Sequence, residues 1–326
     1  MQAQTTSETT SHSRLYLNPP GLNPAADKAN HTNLWRNPEV GKIYRNTEHV
    51  NAPLVPPLLD ACGLTEEAIA SLERPIEVLD MCCGAGVVSA QIQTMLKRTG
   101  MAGKGMVNLM CSDSSAAQLE YVKYRIQADG WVDSKVVQAD IACLPFESNS
   151  FDFIVVGMAL MAVAEPYTGL SELLRILKPG GRLATSTWAV EGWVAATCEA
   201  VADLSLPNQK PVPWPRESTQ LTRLWAPGPW DSDYFTAAMY NASGFVDIRS
   251  DTLPDPVSFE SAEQFCAVYQ GLHFGTMEKY WSKEQKDKLG PRLAETFAEY
   301  LRKKYHGGPF GFERSTVVAS GSKPLK

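Results

Sequence analysis

An α/β fold, with a parallel sheet covered by helices on both faces, is what this chain predicts. Two observations carry that expectation. Short apolar runs alternate with amphipathic stretches between residues 76 and 189, and small or turn-forming residues mark the change from one to the other. The hydrophobic fraction of 44% over 326 residues is that of a globular chain with room for one large domain or two small ones.

The elements follow in order. Val50 to Leu64 predicts a helix leading into the core, with Pro56 and Pro57 in its first turn, where a missing N–H costs little. Ile76 to Met81 is a first strand, followed by a glycine turn and the helical stretch VVSAQIQTMLKR. Met106 to Ser112 is a second strand; Leu119, Val122 and Ile126 then recur at helical spacing. Lys135 to Asp140 and Phe151 to Met158 are the third and fourth strands. Leu170, Leu173, Leu174 and Leu177 form the stripe of a helix packed on a sheet, which the Lys178–Gly181 KPGG segment is expected to stop. Arg182 to Ala189 is the fifth strand, and Phe245 to Leu253 and Ser315 to Ser322 are the last two.

The second half has a different texture. Five of the eight tryptophans (188, 193, 214, 225 and 230) lie within one proline-punctuated stretch that has too few strands for a domain of its own. The expected organisation is a weakly ordered N-terminal segment at 1–33 and one sheet domain at 34–326. A helical, Trp- and Pro-rich cap would be formed by insertions at about 191–231 and 258–308.

Charge narrows the function classes. Lys+Arg number 30 against 36 Asp+Glu, a net charge of −6, which argues against a nucleic-acid partner and against an anionic membrane surface. No apolar run reaches the ~20 residues that span a bilayer, and the opening MQAQTTSETTSHSR has no apolar core of a secretory signal. The seven cysteines, an odd number that includes the adjacent Cys82 and Cys83, fit a reducing cytoplasm. No metal-ligand spacing stands out. The oligomeric state is left open, a homo-oligomer included.

The most informative segment is Glu77-Val-Leu-Asp-Met-Cys-Cys-Gly-Ala-Gly86, a strand entering a small-residue turn that opens a helix. A dinucleotide fingerprint would need a third glycine, and Val87, Val88 and Ser89 follow Gly86 instead. Asp80 at the strand's end would repel phosphate and suits a cationic ligand. Both features disfavour a nicotinamide oxidoreductase. S-adenosylmethionine has an ammonium, a sulfonium and no phosphate.

On these residues the chain resembles the class I S-adenosylmethionine-dependent methyltransferases, and most of all the ubiquinone-biosynthesis-type branch and the small-molecule methyltransferases of fungal natural-product pathways. VLDMCCGAG is similar to the family's V-L-D-x-G-C-G-x-G, with Cys82 where the family usually has its first glycine. CSDSSAAQLE, QADIACLPFESNSFD and LLRILKPGGRLATSTW match three further family segments in order. The resemblance implies a Rossmann-like seven-stranded sheet and S-adenosyl-L-methionine as cofactor. It implies cofactor contacts at Asp80, Cys82, Gly84 and Gly86, ribose contacts at Asp113 with Ser114 beside it, adenine contacts at Asp140 and Ile141, and Gly157 after the fourth strand. Tyr44 stands where related enzymes bring an aromatic ring over the cofactor.

An oxygen or nitrogen acceptor must lose a proton, which calls for a base. Of the five histidines, His273 in the cap segment YQGLHFG is the best placed to face a substrate. Trp188, Trp193, Trp230, Tyr269 and Phe274 are the expected lining of an apolar acceptor pocket. The expected function is methyl transfer to an oxygen or nitrogen of a small, largely apolar acceptor. A cyclase or rearrangement enzyme that keeps the cofactor, and a non-catalytic partner subunit on the same scaffold, are the alternatives, since fold alone does not choose among them.

Overall fold

A computed structural model of the chain describes residues 45–326. Tyr44 and the segment expected at 1–33 lie outside the described residues. The chain enters through α1 (Glu48–Asn51), a short 3-10 turn at Ala52–Leu54, and α2 (Val55–Cys62). The helix expected at Val50 to Leu64 is thus broken by Pro53, while Pro56 occupies the first turn of α2 and Gly63 closes it at φ +79. α3 (Glu66–Ala70) starts on the Thr65 hydroxyl, which accepts from the Ala68 N–H at 3.2 Å.

The core sheet contains β1 (Ile76–Met81), β2 (Val107–Asp113), β3 (Ser134–Gln138), β4 (Phe151–Val156), β5 (Leu177–Glu191), β6 (Val246–Pro254) and a late strand, Arg314–Ser322. Two three-residue strands, β7 (Val257–Phe259) and β8 (Phe310–Phe312), intervene, so the late strand is β9. The seven-stranded sheet has the order β3-β2-β1-β4-β5-β9-β6, with β9 antiparallel to both neighbours and the remaining pairs parallel. Five of the six β1 residues are buried, as a central strand covered on both faces requires. Helices α4 (Val87–Arg98), α5 (Ala116–Ala128), α6 (Pro166–Ile176) and α9 (Asp233–Ser243) provide the cover. The chain builds outward from β1 through β2 to β3, then returns to β4 on the other side. The switch point between β1 and β4, at the strands' carboxyl ends, is where ligands of open α/β sheets bind.

The helix α6 ends at Ile176, just before the KPGG segment, as expected, and KPGG itself belongs to β5. It bends the start of β5 without ending it: Gly180 has φ +76, and a Cβ on Gly181 would lie 2.9 Å from the Lys178 carbonyl oxygen and 3.0 Å from that of Asp152. α7 (Trp193–Ala200) and α8 (Ser218–Thr222) follow β5, and α10 (Ala262–Tyr280), α11 (Lys283–Leu289) and α12 (Leu293–Lys304) lie between β7 and β8. β7 pairs antiparallel with β8, tying the two ends of that helical excursion together at Phe259 and Phe310. Val201, Trp214, Met277, Trp281, Leu293 and Phe297 share a small apolar core of their own, which joins the α7 region to α10 and α12. No helix among the described residues is long and apolar enough to cross a membrane.

Candidate active site

β1 delivers Asp80 to the switch point, and Cys82, Gly84 and Gly86 follow at φ +58, +52 and +80. Only glycine adopts that region freely, which is the physical reason a glycine is expected where Cys82 stands. Seven non-glycine residues among those described have positive φ. Five are Asp, Asn or His, types that tolerate it; the other two, Cys82 and Met158, line the same cavity. Strained residues gathering at one cleft mark it as a site.

That cavity is a solvent-open cleft of about 480 Å³. Asp80, Cys82, Gly84 and Val88 wall one side, Gly157, Met158 and Ser186 another, and Asn51 and Leu58 close it from the N-terminal helices. The Met158 N–H donates to the Ser186 hydroxyl at 3.0 Å, holding the turn after β4 against β5. Asp80 is buried. Its Oδ2 accepts from the Ser89 N–H at 3.0 Å and the Ser89 hydroxyl at 2.6 Å, while Oδ1 has no partner among the described residues. Burial pushes its pKa up to about 7; the Ser89 hydrogen bonds pull it down and the charge of Asp113 adds to the rise.

Asp113 ends β2. It accepts from the Gly84 N–H at 2.9 Å and the Ser115 N–H at 2.8 Å, so it fixes the glycine turn and starts the next helix at once. Asp140 is exposed, in a turn where its side chain accepts from the Ala142 N–H at 3.0 Å. Burial, followed by the charges of Asp113, Asp140 and Asp80, pushes the Cys82 thiol far up, so it is not a reactive thiolate. Three carboxylates around one turn, with an orphaned oxygen on Asp80, fit a cationic ligand and disfavour a pyrophosphate. S-adenosylmethionine is such a ligand, and these residues fit it. Ile141 is buried, and a Cβ on Gly169 of α6 would meet its side chain at 3.2 Å, so it does not line the cleft. Ser114 is half-buried beside Asp113, its carbonyl accepting from Gln138 Nε2. Gly86 is occupied with packing: a Cβ there would lie 2.9 Å from the Trp131 ring.

A second cavity, of about 440 Å³ including its opening to solvent, shares Asn51 with the first. Val50, Trp188, Val268, Tyr269 and Leu272 give it apolar walls; Thr47, Glu191 and Arg314 are its other polar residues. Trp188 and Tyr269 therefore line it as expected from the sequence. Trp193 stands behind it, donating from Nε1 to Glu191 Oε2 at 2.5 Å, with its ring 4.8 Å from that of Tyr269. Trp230 and Phe274 do not line either cavity. Trp230 is buried against Tyr167 and Phe235, and Phe274 points outward from α10, 37% exposed.

His273 also departs from its expected place. α10 turns Val268, Tyr269 and Leu272 to the second cavity, and one residue further round the helix His273 faces an aromatic core. Its ring lies 4.6 Å from Phe297, 5.4 Å from Trp193 and 5.5 Å from Phe265 between centroids. Burial pushes its pKa down to about 3, and Nε2 has no partner among the described residues. The correct helix was legible; its rotation was not.

Sequence reasoning passed over Asn51, Met158, Ser186, Glu191 and Arg314. Glu191 is buried, and burial lifts its pKa to about 7 against the pull of Arg314 and the Trp193 hydrogen bond. Alternation from Ser186 and Trp188 would turn Glu191 to the opposite face of β5. A bulge between Trp188 and Val190 restores it to the same face and leaves Val190 outside, 41% exposed.

Known proteins similar in sequence to this chain are methyltransferases. The model of the ubiE/COQ5 methyltransferase family matches residues 64–191. The methyltransferase tpcH of Aspergillus fumigatus is 30% identical over 80% of this chain and 90% of its own length. The acetylaranotin bis-thiomethyltransferase of Aspergillus terreus is 26% identical over 90% of this chain and 97% of its own. Among solved structures the chain is similar to the YcgJ protein of Bacillus subtilis, at 18% identity and a TM-score of 0.48, over 79% of this chain and 97% of that one. The chain belongs to the S-adenosylmethionine-dependent methyltransferases, with a ubiE/COQ5-type segment at 64–191.

Proposed function

We propose that the protein methylates an oxygen or nitrogen of a small, largely apolar molecule of the secondary-metabolite kind, in the cytoplasm. The observation that carries this reading is the pair of adjoining cavities, one lined by Asp80 and the glycine turn that Asp113 holds, and one walled by Trp188, Val268, Tyr269 and Leu272, with Asn51 common to both. In the first, Asp80 would hold the cationic amino end of the cofactor, Asp113 its ribose, and the turn at Asp140–Ile141 its adenine. When bound, S-adenosylmethionine supplies a methyl carbon already activated by the sulfonium. The chain's own contribution is then to bring the acceptor atom in line with that carbon and keep water out. Residues 191–231 and 258–308 would act as the cap, since α10 forms one wall of the second cavity and the β7–β8 pair anchors both ends of its segment. A concave site with apolar walls suits a small molecule better than a protein or nucleic acid.

A sulfur acceptor is the second reading, favoured by the likeness to a bis-thiomethyltransferase. Incubation with methyl-labelled S-adenosylmethionine and a panel of apolar phenols, amines and thiols tests both readings. Label on phenols or amines supports the first and label on thiols alone the second. Cofactor binding without transfer to any acceptor class would favour a cyclase or a non-catalytic subunit instead.

A further inference from the structure

We infer that Glu191, with Tyr269 beside it, selects acceptors that carry a hydrogen-bond donor: an apolar ring system bearing a hydroxyl or N–H. This rests on the reading of the second cavity as the acceptor site.

Three observations place the pair there. Glu191 and Tyr269 both line that cavity and both are buried. Trp193 occupies only Oε2 of Glu191; among the described residues Oε1 accepts no hydrogen bond, and no basic group forms an ion pair with this carboxyl. The nearest candidate, Arg314, is committed elsewhere: it pairs with Asp255 and donates to the carbonyl oxygens of Val50 and Asp255. The Tyr269 hydroxyl lies against the Arg314 guanidinium without a well-directed hydrogen bond and has no partner of its own. A buried carboxyl without an ion pair and a buried hydroxyl without a partner each cost free energy. The bulge in β5 exists to aim Glu191 into this space; without it the side chain would leave the cavity. A ligand donor reaching Oε1 would remove that cost, whereas a ligand lacking one would leave the carboxyl desolvated and unpaired. Sites of this kind discriminate strongly against the analogue without the donor.

The test uses the full chain saturated with S-adenosylhomocysteine, titrated calorimetrically with naphthol and with its methyl ether, the same ring without the donor. The wild type should prefer naphthol by about tenfold or more. Glu191→Leu should lose that preference while still binding the ether, Glu191→Gln should keep part of it, and Tyr269→Phe should weaken it by about threefold. Equal binding of the two probes by the wild type, or an undiminished preference in Glu191→Leu that still binds S-adenosylhomocysteine, would overturn the inference alone. Failure of the wild type to bind either probe while it holds S-adenosylhomocysteine would overturn the acceptor cavity itself. Should Glu191→Leu not fold, Tyr269→Phe and Glu191→Gln decide on the same criterion.

Discussion

Cys82 holds a left-handed backbone at φ +58 that a side chain without β-branching tolerates at a cost. Cys82→Gly is therefore expected to leave thermal stability within about 1 kcal/mol of the parent, relief of strain offsetting the extra freedom of the unfolded chain. Cys82→Val should destabilise by about 2 kcal/mol or more, read from denaturant unfolding. Asp113→Ala removes the acceptor of the Gly84 N–H together with the proposed ribose contacts, so affinity for S-adenosylmethionine should fall by about tenfold or more in calorimetry. Asp80 and Glu191 share a pH signature. Asp80 faces Ser89, Asp113, Cys82, Cys83 and Cys111; Glu191 faces Arg314, Asp255, Tyr269 and Trp193. Both carboxyls bind a proton more tightly when folded, so their stabilising contribution is full below the ordinary carboxyl range and is lost as pH rises to about 7. Asp80→Asn and Glu191→Gln should each flatten that decline in the cofactor-free protein, checked by thermal unfolding across pH. A cation bound at Asp80 needs the ionised form, so cofactor affinity should weaken as pH falls below about 7 and Asp80→Asn should abolish that dependence. His273→Leu fills the same aromatic core without an orphaned nitrogen. It should change turnover by less than about tenfold, whereas loss of a general base costs about 10²–10⁴.

The elements that the sequence made legible are those whose pattern is local. β1, β2 and β4 are continuous apolar runs between glycine or polar breaks, and all three appear within two residues of their expected ends. The features that were not legible depend on partners remote in sequence. β7 and β8 are three residues each and exist only because Val257–Phe259 meets Phe310–Phe312 across some fifty intervening residues. The bulge at Trp188–Val190 is visible only against β9, and without it alternation sends Glu191 to the wrong face; hence the carboxyl was missed. The rotation of α10 was hidden for another reason: its apolar residues occur almost all round, so no stripe distinguishes the cavity side from the aromatic core that holds His273. That core, which includes Trp214, Trp281 and Phe297, ties α7, α10 and α12 into one unit. Phe297→Ala should cost about 3–5 kcal/mol of stability on denaturant unfolding while leaving cofactor affinity nearly unchanged.

At the scale of the whole molecule, one topological fact organises the chemistry. The strand order reverses between β1 and β4, and the cleft opened there collects Asp80, Cys82 and Gly84 from the end of β1 and its turn, and Gly157 and Met158 from the turn after β4. The residues that meet at this cleft, where the cofactor is proposed to bind, were readable because they cluster in motifs at strand ends. The second cavity, the proposed acceptor site, was legible only at Trp188 and Tyr269, because it is assembled from α1, the end of β5, α10 and β9, which no single stretch of sequence reveals. The net charge of −6 and the carboxylates at the cleft give nucleic acid nothing to hold, and no salt-dependent binding of RNA or DNA is expected at micromolar concentration. The most direct test of the two-cavity account is a crystal structure with S-adenosylhomocysteine bound. The account predicts the ribose against Asp113, the amino group within hydrogen-bond reach of Asp80 Oδ1, and the sulfur directed past Asn51 toward the cavity of Trp188 and Glu191. Cofactor bound outside the β1–β4 cleft, or with its sulfur turned away from that second cavity, would contradict it.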